Sequence, residues 1–116
     1  DFAQRVRDLV AKWRGGDVRT MNPTLFLEMS ALASRDPQIA SALSESDRVT
    51  RSDFATWLVQ RAASGSVPMS AADAETRAFA LQCLIEGLAV RIVREPDLSE
   101  PMLADMLAMN LPVLIR

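Results

Sequence analysis

The hydrophobic residues of this chain recur at helical spacing between clear turn signals. In residues 2–14 the apolar positions follow an i, i+4, i+7, i+8, i+11 pattern, which places them on one stripe of a helix: Phe2, Val6, Leu9, Val10 and Trp13. Residues 23–34 and 37–64 each follow a capping side chain, Asn22 or Asp36, and begin with proline. The missing N–H of proline costs nothing at the first helical position, so both segments are predicted helices.

Two more helices are predicted in the second half of the chain. Residues 71–94 follow Ser70, which forms a capping box with Asp73. Residues 100–110 form the last helix, and Pro112 is expected to end or kink it. The third helix is polar on most sides over residues 44–53. We expect a solvent-exposed stretch of one long helix there, although a second capping box at residues 50–53 leaves a break as the alternative.

These patterns predict an all-α fold of about five helices, arranged as an antiparallel bundle. No stretch alternates between apolar and polar residues, and tyrosine is absent, so strands are not indicated. A chain of 116 residues is short enough to form a single domain, which we expect to span residues 1–116.

Composition and charge exclude several classes of function. The net charge of −2 does not suit a self-sufficient electrostatic binder of nucleic acid. With no histidine and one cysteine, the chain has no His/Cys zinc site, no Ser-His-Asp or Cys-His catalysis and no internal disulfide. We therefore expect no catalytic residue, metal or cofactor, and a reducing, cytoplasmic location. No apolar run approaches the length of a membrane span.

The last two predicted helices carry more apolar surface than a small domain can bury. Between Phe79 and Val93 only Gln82, Glu86 and Arg91 are polar. The fourth helix could be the central helix of a monomeric core, but we favour a partner, most economically a second copy of the chain that completes a four-helix interface. The residues predicted at this dimer interface are Leu81, Leu84, Ile85, Gly87, Leu88, Ile92, Met102, Met106 and Met109.

Gly87 fits the same interpretation. Glycine in the middle of a helix is less favourable than alanine by roughly 1 kcal/mol. A close contact between helices would explain why a glycine occupies this position.

Residues 84–91, with Leu84, Glu86, Gly87 and Leu88, precede a turn built from Glu95, Pro96 and Asp97. This arrangement resembles the penultimate-helix signature of tetracycline-repressor (TetR) family regulators, in which a Leu-x-Asp-Gly-Leu core precedes a short Asp/Pro turn and a last helix. Residues 25–37 resemble the apolar helix of that family that ends in Arg-Asp-Pro and leads into a long helix. The resemblance covers about residues 23–111.

The sequence departs from that family in two ways. Glu86 stands where the family often has aspartate, and no part of the chain resembles the N-terminal helix-turn-helix. The resemblance is therefore to the C-terminal domain, which binds ligands and forms dimers. It implies a homodimeric, non-enzymatic part of a bacterial regulator, most often a repressor, that contacts DNA only through a domain absent from this chain. An effector bound among the helices would shift the separation of the two DNA-reading heads.

An effector pocket should be mostly apolar with a few polar groups. Large side chains from three predicted helices, together with two polar residues of the fourth, are the candidates: Trp13, Phe26, Met29, Phe54, Trp57, Gln82 and Glu86. The two polar residues could hydrogen-bond a ligand or favour a cationic one. Alternatively, the large side chains fill the core, and Gln82 and Glu86 form the solvent edge of their helix.

Two other functions remain open from the sequence. The chain could be a helical protein–protein interaction module that docks on another protein through residues 79–111, or a helical accessory domain of a larger enzyme. A pocket lined by Trp13, Phe26 and Trp57 would favour the sensor. A solid core with one flat exposed Leu/Met face would favour the interaction module.

Overall fold

Five α-helices follow one another along the chain. The computed structural model describes residues 1–16, 22–65 and 67–115, and these residues contain no strand, so the all-α prediction is confirmed. The helices are α1 (Phe2–Arg14), α2 (Pro23–Ala33), α3 (Pro37–Ala63), α4 (Ala71–Arg94) and α5 (Glu100–Ile115).

Side-chain caps set the helix starts where the sequence placed them. The Asn22 Oδ1 accepts a hydrogen bond from the backbone N–H of Leu25 at 3.1 Å, and the Ser70 Oγ accepts one from Asp73 at 3.1 Å. The Asp36 Oδ1 accepts bonds from the first turn of α3. These bonds satisfy backbone donors that have no partner inside the helix. Residues 50–53 lie within α3, which is unbroken, so the prediction of one long helix is confirmed.

The helix α4 lies at the centre and packs against each of the other four helices. Its core face combines large side chains with alanines that are fully buried and let neighbouring helices approach closely. The buried residues of α4 are Ala74, Ala78, Leu81, Gln82, Leu88, Ala89 and Ile92. On this side, α4 is the central helix of the protomer's own core.

The helices α1 and α5 supply most of the remaining core. From α1 come Val6, Val10 and Trp13, as the apolar stripe predicted. From α5 come four residues spaced one turn apart, Leu103, Leu107, Leu111 and Ile115. The long helix α3 contributes only two fully buried residues, Leu58 and Ala62, both near its C-terminal end. None of the helices in the described ranges is long and apolar enough to span a membrane.

The end of α5 differs from the prediction, because the helix continues past Pro112 to Ile115. Arginines from other helices bind the carbonyl groups of its last turn. Arg77 donates to the carbonyls of Val113 and Leu114, and the Arg61 Nε donates to the carbonyl of Ile115 at 3.0 Å. Carbonyls at a helix C-terminus lack partners within the helix, and cationic donors stabilise them. These tertiary contacts, together with burial of Ile115, extend the helix beyond the proline.

The cap of α3 can be tested by Asp36→Ala. The substitution removes the acceptor for the backbone N–H groups of Gln38 and Ile39, and we expect it to lower the free energy of unfolding by about 1 kcal/mol. Urea denaturation followed by circular dichroism measures the change. The matched control is Asp53→Ala, an exposed aspartate in the interior of the same helix, which should change stability by less than about 0.5 kcal/mol. Equal losses from both variants would contradict the capping role.

Candidate functional site

A cleft with a volume of about 880 Å³ opens between the end of α1, the helix α2, the middle of α3 and the second half of α4. A volume of this order accommodates a drug-sized molecule. Four helices contribute apolar side chains to its walls. These residues are Trp13, Leu25, Phe26, Met29, Leu43, Ile92 and Val93.

Two carboxylates interrupt these apolar walls. Glu86 on α4 and Asp47 on α3 both line the cleft. Partial burial raises the pKa of the Glu86 carboxyl above its ordinary value, the nearby Asp47 carboxylate raises this pKa further, and the Arg51 guanidinium partly offsets the rise. A carboxylate that is partly desolvated beside another acid is a common feature of binding sites.

Gln82 fixes the position of the middle of α3, where Asp47 lies. It is the one polar side chain among the buried residues of the described chain. Its amide Nε2 donates to the backbone carbonyl of Asp47 at 2.8 Å, and its Oε1 accepts from the Arg51 Nε at 2.8 Å. Gln82 therefore holds the polar middle of α3 against α4 and does not line the cleft.

Trp13 lines the cleft from α1 and carries a buried polar atom that has no hydrogen bond to a described residue. Its side chain is 7% exposed, and its indole Nε1 has no hydrogen-bond partner in the part of the chain that the structure describes. The neighbouring Arg14 is engaged, because it donates to the carbonyl of Leu98 and forms an ion pair with Glu100 at 3.2 Å. A buried donor without a partner costs free energy, so the Trp13 indole N–H is a destabilising feature of this part of the core.

The structure separates the predicted pocket residues into two groups. Trp13, Phe26, Met29 and Glu86 line the cleft. Phe54 and Trp57 instead pack around Phe2, with ring centroids 6.5 and 5.3 Å from that of Phe2. Together with the buried Gln82, these two aromatic residues stabilise the fold away from the cleft.

The predicted interface residues also divide. Leu81, Leu88 and Ile92 are 0%, 5% and 7% exposed, so they belong to the core of the protomer and are not available to a partner. Leu84 and Ile85 are half-buried against the same core. The strongest apolar stripe of α4 is thus buried by the chain's own helices. In the sequence, an apolar stripe does not indicate whether the surface that covers it belongs to the same chain or to a partner.

Part of the apolar surface that remains accessible lies elsewhere on α4 and α5. On α4, Ala80, Cys83, Gly87 and Val90 follow an i, i+3, i+7, i+10 spacing and are exposed or half-buried. On α5, the half-buried Met106 lies among three exposed residues, Met102, Met109 and Val113, at the same kind of spacing. We call these eight residues the outer face. Three of the predicted interface methionines and Gly87 belong to it.

A comparison with models of protein families identifies the family of this chain. The family model described as "BetI-type transcriptional repressor, C-terminal" matches residues 2–111. The chain belongs to this family. The resemblance to the C-terminal domain of TetR regulators is thereby confirmed. Neither a curated protein nor a solved structure matches the chain.

Several cleft residues of this BetI-type domain were not among the sequence candidates, and two of them, Leu43 and Asp47, lie on α3. Asp47 lies in the polar stretch of α3, where the pattern indicates only a solvated helix face, and Leu43 precedes it by one turn. No local signal distinguishes Asp47 from its exposed neighbours. Asp47 and Leu43 reach the cleft because α2, α3 and α4 all pack against one another.

Glu86→Gln tests the electrostatics of the cleft. Because burial raises the pKa of Glu86 above its ordinary value of 4.5, ionisation of this carboxyl destabilises the folded protein. The wild type should be as stable as the variant below pH 4.5, where the carboxyl is neutral in both the folded and the unfolded state. As the pH rises through the raised pKa, the wild type should lose stability relative to Glu86→Gln. Thermal unfolding between pH 4 and pH 8 measures the difference.

Glu75→Gln is the control for this measurement, since it removes an exposed carboxylate from the same helix. It should not reproduce the gain in Tm that appears with rising pH. A pH-independent effect of Glu86→Gln would show that the amide acts through packing and not through charge.

Proposed function

We propose that this chain is the effector-binding and dimerisation domain of a TetR-like transcriptional repressor. The cleft carries this proposal, because it joins apolar walls and a suitable volume to the few charged groups of Arg14, Asp47 and Glu86. The ligand would be a small apolar or amphipathic molecule. The family is one of transcriptional regulators, so we assign binding and not catalysis to the cleft.

The helix α2 is the element through which a ligand would act. It contributes Leu25, Phe26 and Met29 to the cleft, yet Pro23 is its only fully buried residue. A helix held by so little burial is more easily displaced than the central α4. A ligand that contacts α2 and α4 together would favour one position of α2 over another, which is the differential affinity that a conformational switch requires.

The DNA-reading function would belong to a helix-turn-helix that the family resemblance places before residue 1. In the proposed regulation, the dimer has two conformations, which differ in the distance between its two helix-turn-helix domains. The effector then controls DNA binding through its preference for one state, and DNA alters effector affinity by the same factor. We place this regulator in the bacterial cytoplasm, where its DNA is found.

The second part of the proposal is a homodimer formed through the outer face. Its α5 component is a row of Met102, Met106, Met109 and Val113, and a side chain such as Met109, which is 76% exposed, gains burial only from another molecule. On α4, a Cβ added to Gly87 would meet no atom within 4 Å, so nothing in the protomer requires this glycine. Close approach of a second copy would require it. A two-fold axis would then join α4 and α5 of both copies in a four-helix interface.

Met109→Arg tests the dimer. The substitution introduces a charge into the proposed interface, twice in each two-fold assembly, and should weaken association by at least about tenfold. Native mass spectrometry and sedimentation equilibrium measure the assembly. Val49→Arg is the matched control, because Val49 is an exposed apolar residue of α3 outside the outer face. Leu88→Arg is not a suitable test of the dimer, because it would place a charge in the core of the protomer.

The mass of the wild-type assembly in solution distinguishes the dimeric effector sensor from the protein–protein interaction module. A dimer that Met109→Arg dissociates and Val49→Arg does not would support the sensor. A wild type that is monomeric at every concentration would contradict the dimer and favour an interaction module that uses residues 79–111 on a different protein.

The cleft can be tested with a neutral fluorescent probe, N-phenyl-1-naphthylamine. We expect one binding site per protomer and at least about a tenfold loss of affinity in Met29→Trp, which fills part of the cleft. Val49→Trp introduces the same residue at an exposed position of α3, outside both the cleft and the outer face, and should bind the probe as the wild type does. Circular dichroism establishes that both variants fold. Equal binding by both variants, or no binding by the wild type, would contradict a ligand site in the cleft.

A further inference from the structure

Asp47 and Arg51 on α3 have a spacing that commonly produces an ion pair. An aspartate four residues before an arginine lies one turn away on the same face of a helix, where the two side chains meet. The same residue types at the same spacing in α4, Asp73 and Arg77, form an ion pair at 2.9 Å. Asp47 and Arg51 form none, although the structure describes both residues. Another interaction therefore holds the Arg51 guanidinium away from Asp47.

Two residues of α4 supply that interaction. The Arg51 Nε donates to the Gln82 Oε1 at 2.8 Å, and the guanidinium carbon lies 5.0 Å from the centre of the Phe79 ring. Gln82 is 7% exposed, and its Nε2 is bound to the carbonyl of Asp47 at 2.8 Å, so its amide is fixed. A cation over an aromatic face gains electrostatic attraction. This contact gives Phe79 a role that burial does not, since its side chain is 53% exposed.

The position of Arg51 leaves the wall of the cleft with two carboxylates. Asp47 and Glu86 line the cleft, whereas Arg51 is not among the described residues that do so. From α1, the cleft is lined by Arg14, which pairs with Glu100, and the described cleft residues of α2 carry no charge. Asp47 raises the pKa of Glu86 and Arg51 lowers it, so both groups act on this carboxyl.

We propose that Gln82 and Phe79 are positioning residues that hold Arg51 outside the cleft. In the alternative position, reached when those contacts are lost, the guanidinium pairs with Asp47 and Glu86. Asp47 lies one turn before Arg51 on α3, and Glu86 lies one turn after Gln82 on α4, so each carboxylate is about 5.4 Å along its helix from the present contact. Changes of rotamer along the arginine side chain cover this distance without a change in the backbone.

The alternative position would change the cleft in two ways. An ion pair with two carboxylates neutralises charge on the wall, and it joins α3 to α4 at the edge of the cleft. Phe79 precedes Ala80 of the outer face by one residue, so a change at that surface would reach the cleft through Arg51. The inference concerns the protein without a ligand, so its failure would leave the proposed function untouched.

The titration of Glu86 in the ligand-free protein tests the positioning role. Phe79→Leu removes the aromatic face and keeps an apolar side chain, so Arg51 should occupy the second position more often. A positive charge closer to a carboxylate favours the ionised form, and we expect the titration midpoint of Glu86 to fall by at least about 0.5 pH units. Carbon-13 NMR of the glutamate carboxyl groups measures the midpoint, and Glu86→Gln identifies the resonance.

Three further variants separate positioning from a structural effect. Phe79→Tyr keeps a ring for the guanidinium and should keep the wild-type midpoint. Gln82→Met removes the hydrogen bond to Arg51 with a side chain of similar length and should lower the midpoint as Phe79→Leu does. Phe79→Leu combined with Arg51→Met has no guanidinium to move, so its midpoint should equal that of Arg51→Met alone.

These midpoints decide whether Arg51 is held in position. A fall in Phe79→Leu that requires Arg51 and is absent from Phe79→Tyr would support the inference. An unchanged midpoint in Phe79→Leu, or a fall that persists when the guanidinium is removed, would overturn it.

Discussion

The packing of α4 against all four other helices is the constraint on which the rest of the structure depends. Ala74, Ala78 and Ala89 are fully buried, so neighbouring helices can lie close to the α4 backbone on that side. The same helix then presents Glu86 and Ile92 to the cleft and exposes Cys83 and Gly87 on the outer face. One helix thus forms part of the core, one wall of the cleft and part of the surface that we assign to a second copy.

Gln82 shows how a polar contact organises the cleft without lining it. A buried amide without partners would cost about 1–3 kcal/mol, and both of its hydrogen bonds are made to α3. These bonds hold Asp47 and Arg51 at fixed positions relative to α4. As a result, a stretch of α3 that is polar on most sides gains a defined orientation, and the carboxylate of Asp47 is brought to the same cleft as Glu86.

The sequence allows the helices to be located because their starting signals are local. Asn22, Asp36 and Ser70 each cap the helix that follows within three residues, so the caps can be read without knowing the fold. The end of α5 could not be located in this way. Its last carbonyls are bound by Arg61 and Arg77, which lie 54 and 36 residues away from their partners Ile115 and Val113.

The site was only partly predictable for a related reason. Helical spacing indicates which side of a helix is buried, but it does not show what covers that side. Trp13 and Trp57 are both large side chains on amphipathic helices, yet one lines the cleft and the other packs against Phe2. Leu88 and Met109 both met the criterion for an interface residue, although Leu88 is covered by the chain's own core and Met109 is exposed. Such pairs can be distinguished only by the tertiary structure.

The proximity of the cleft to the outer face limits how the proposed regulation could work. Glu86 lines the cleft, and the next residue along α4, Gly87, lies on the outer face. A ligand held at Glu86 would therefore act on the same helical turn that contacts the second copy in the proposed dimer. Coupling between the two sites then needs no chain of intermediate residues, because a small rotation or shift of α4 changes both surfaces at once. Since coupling is reciprocal, ligand affinity should also depend on dimerisation.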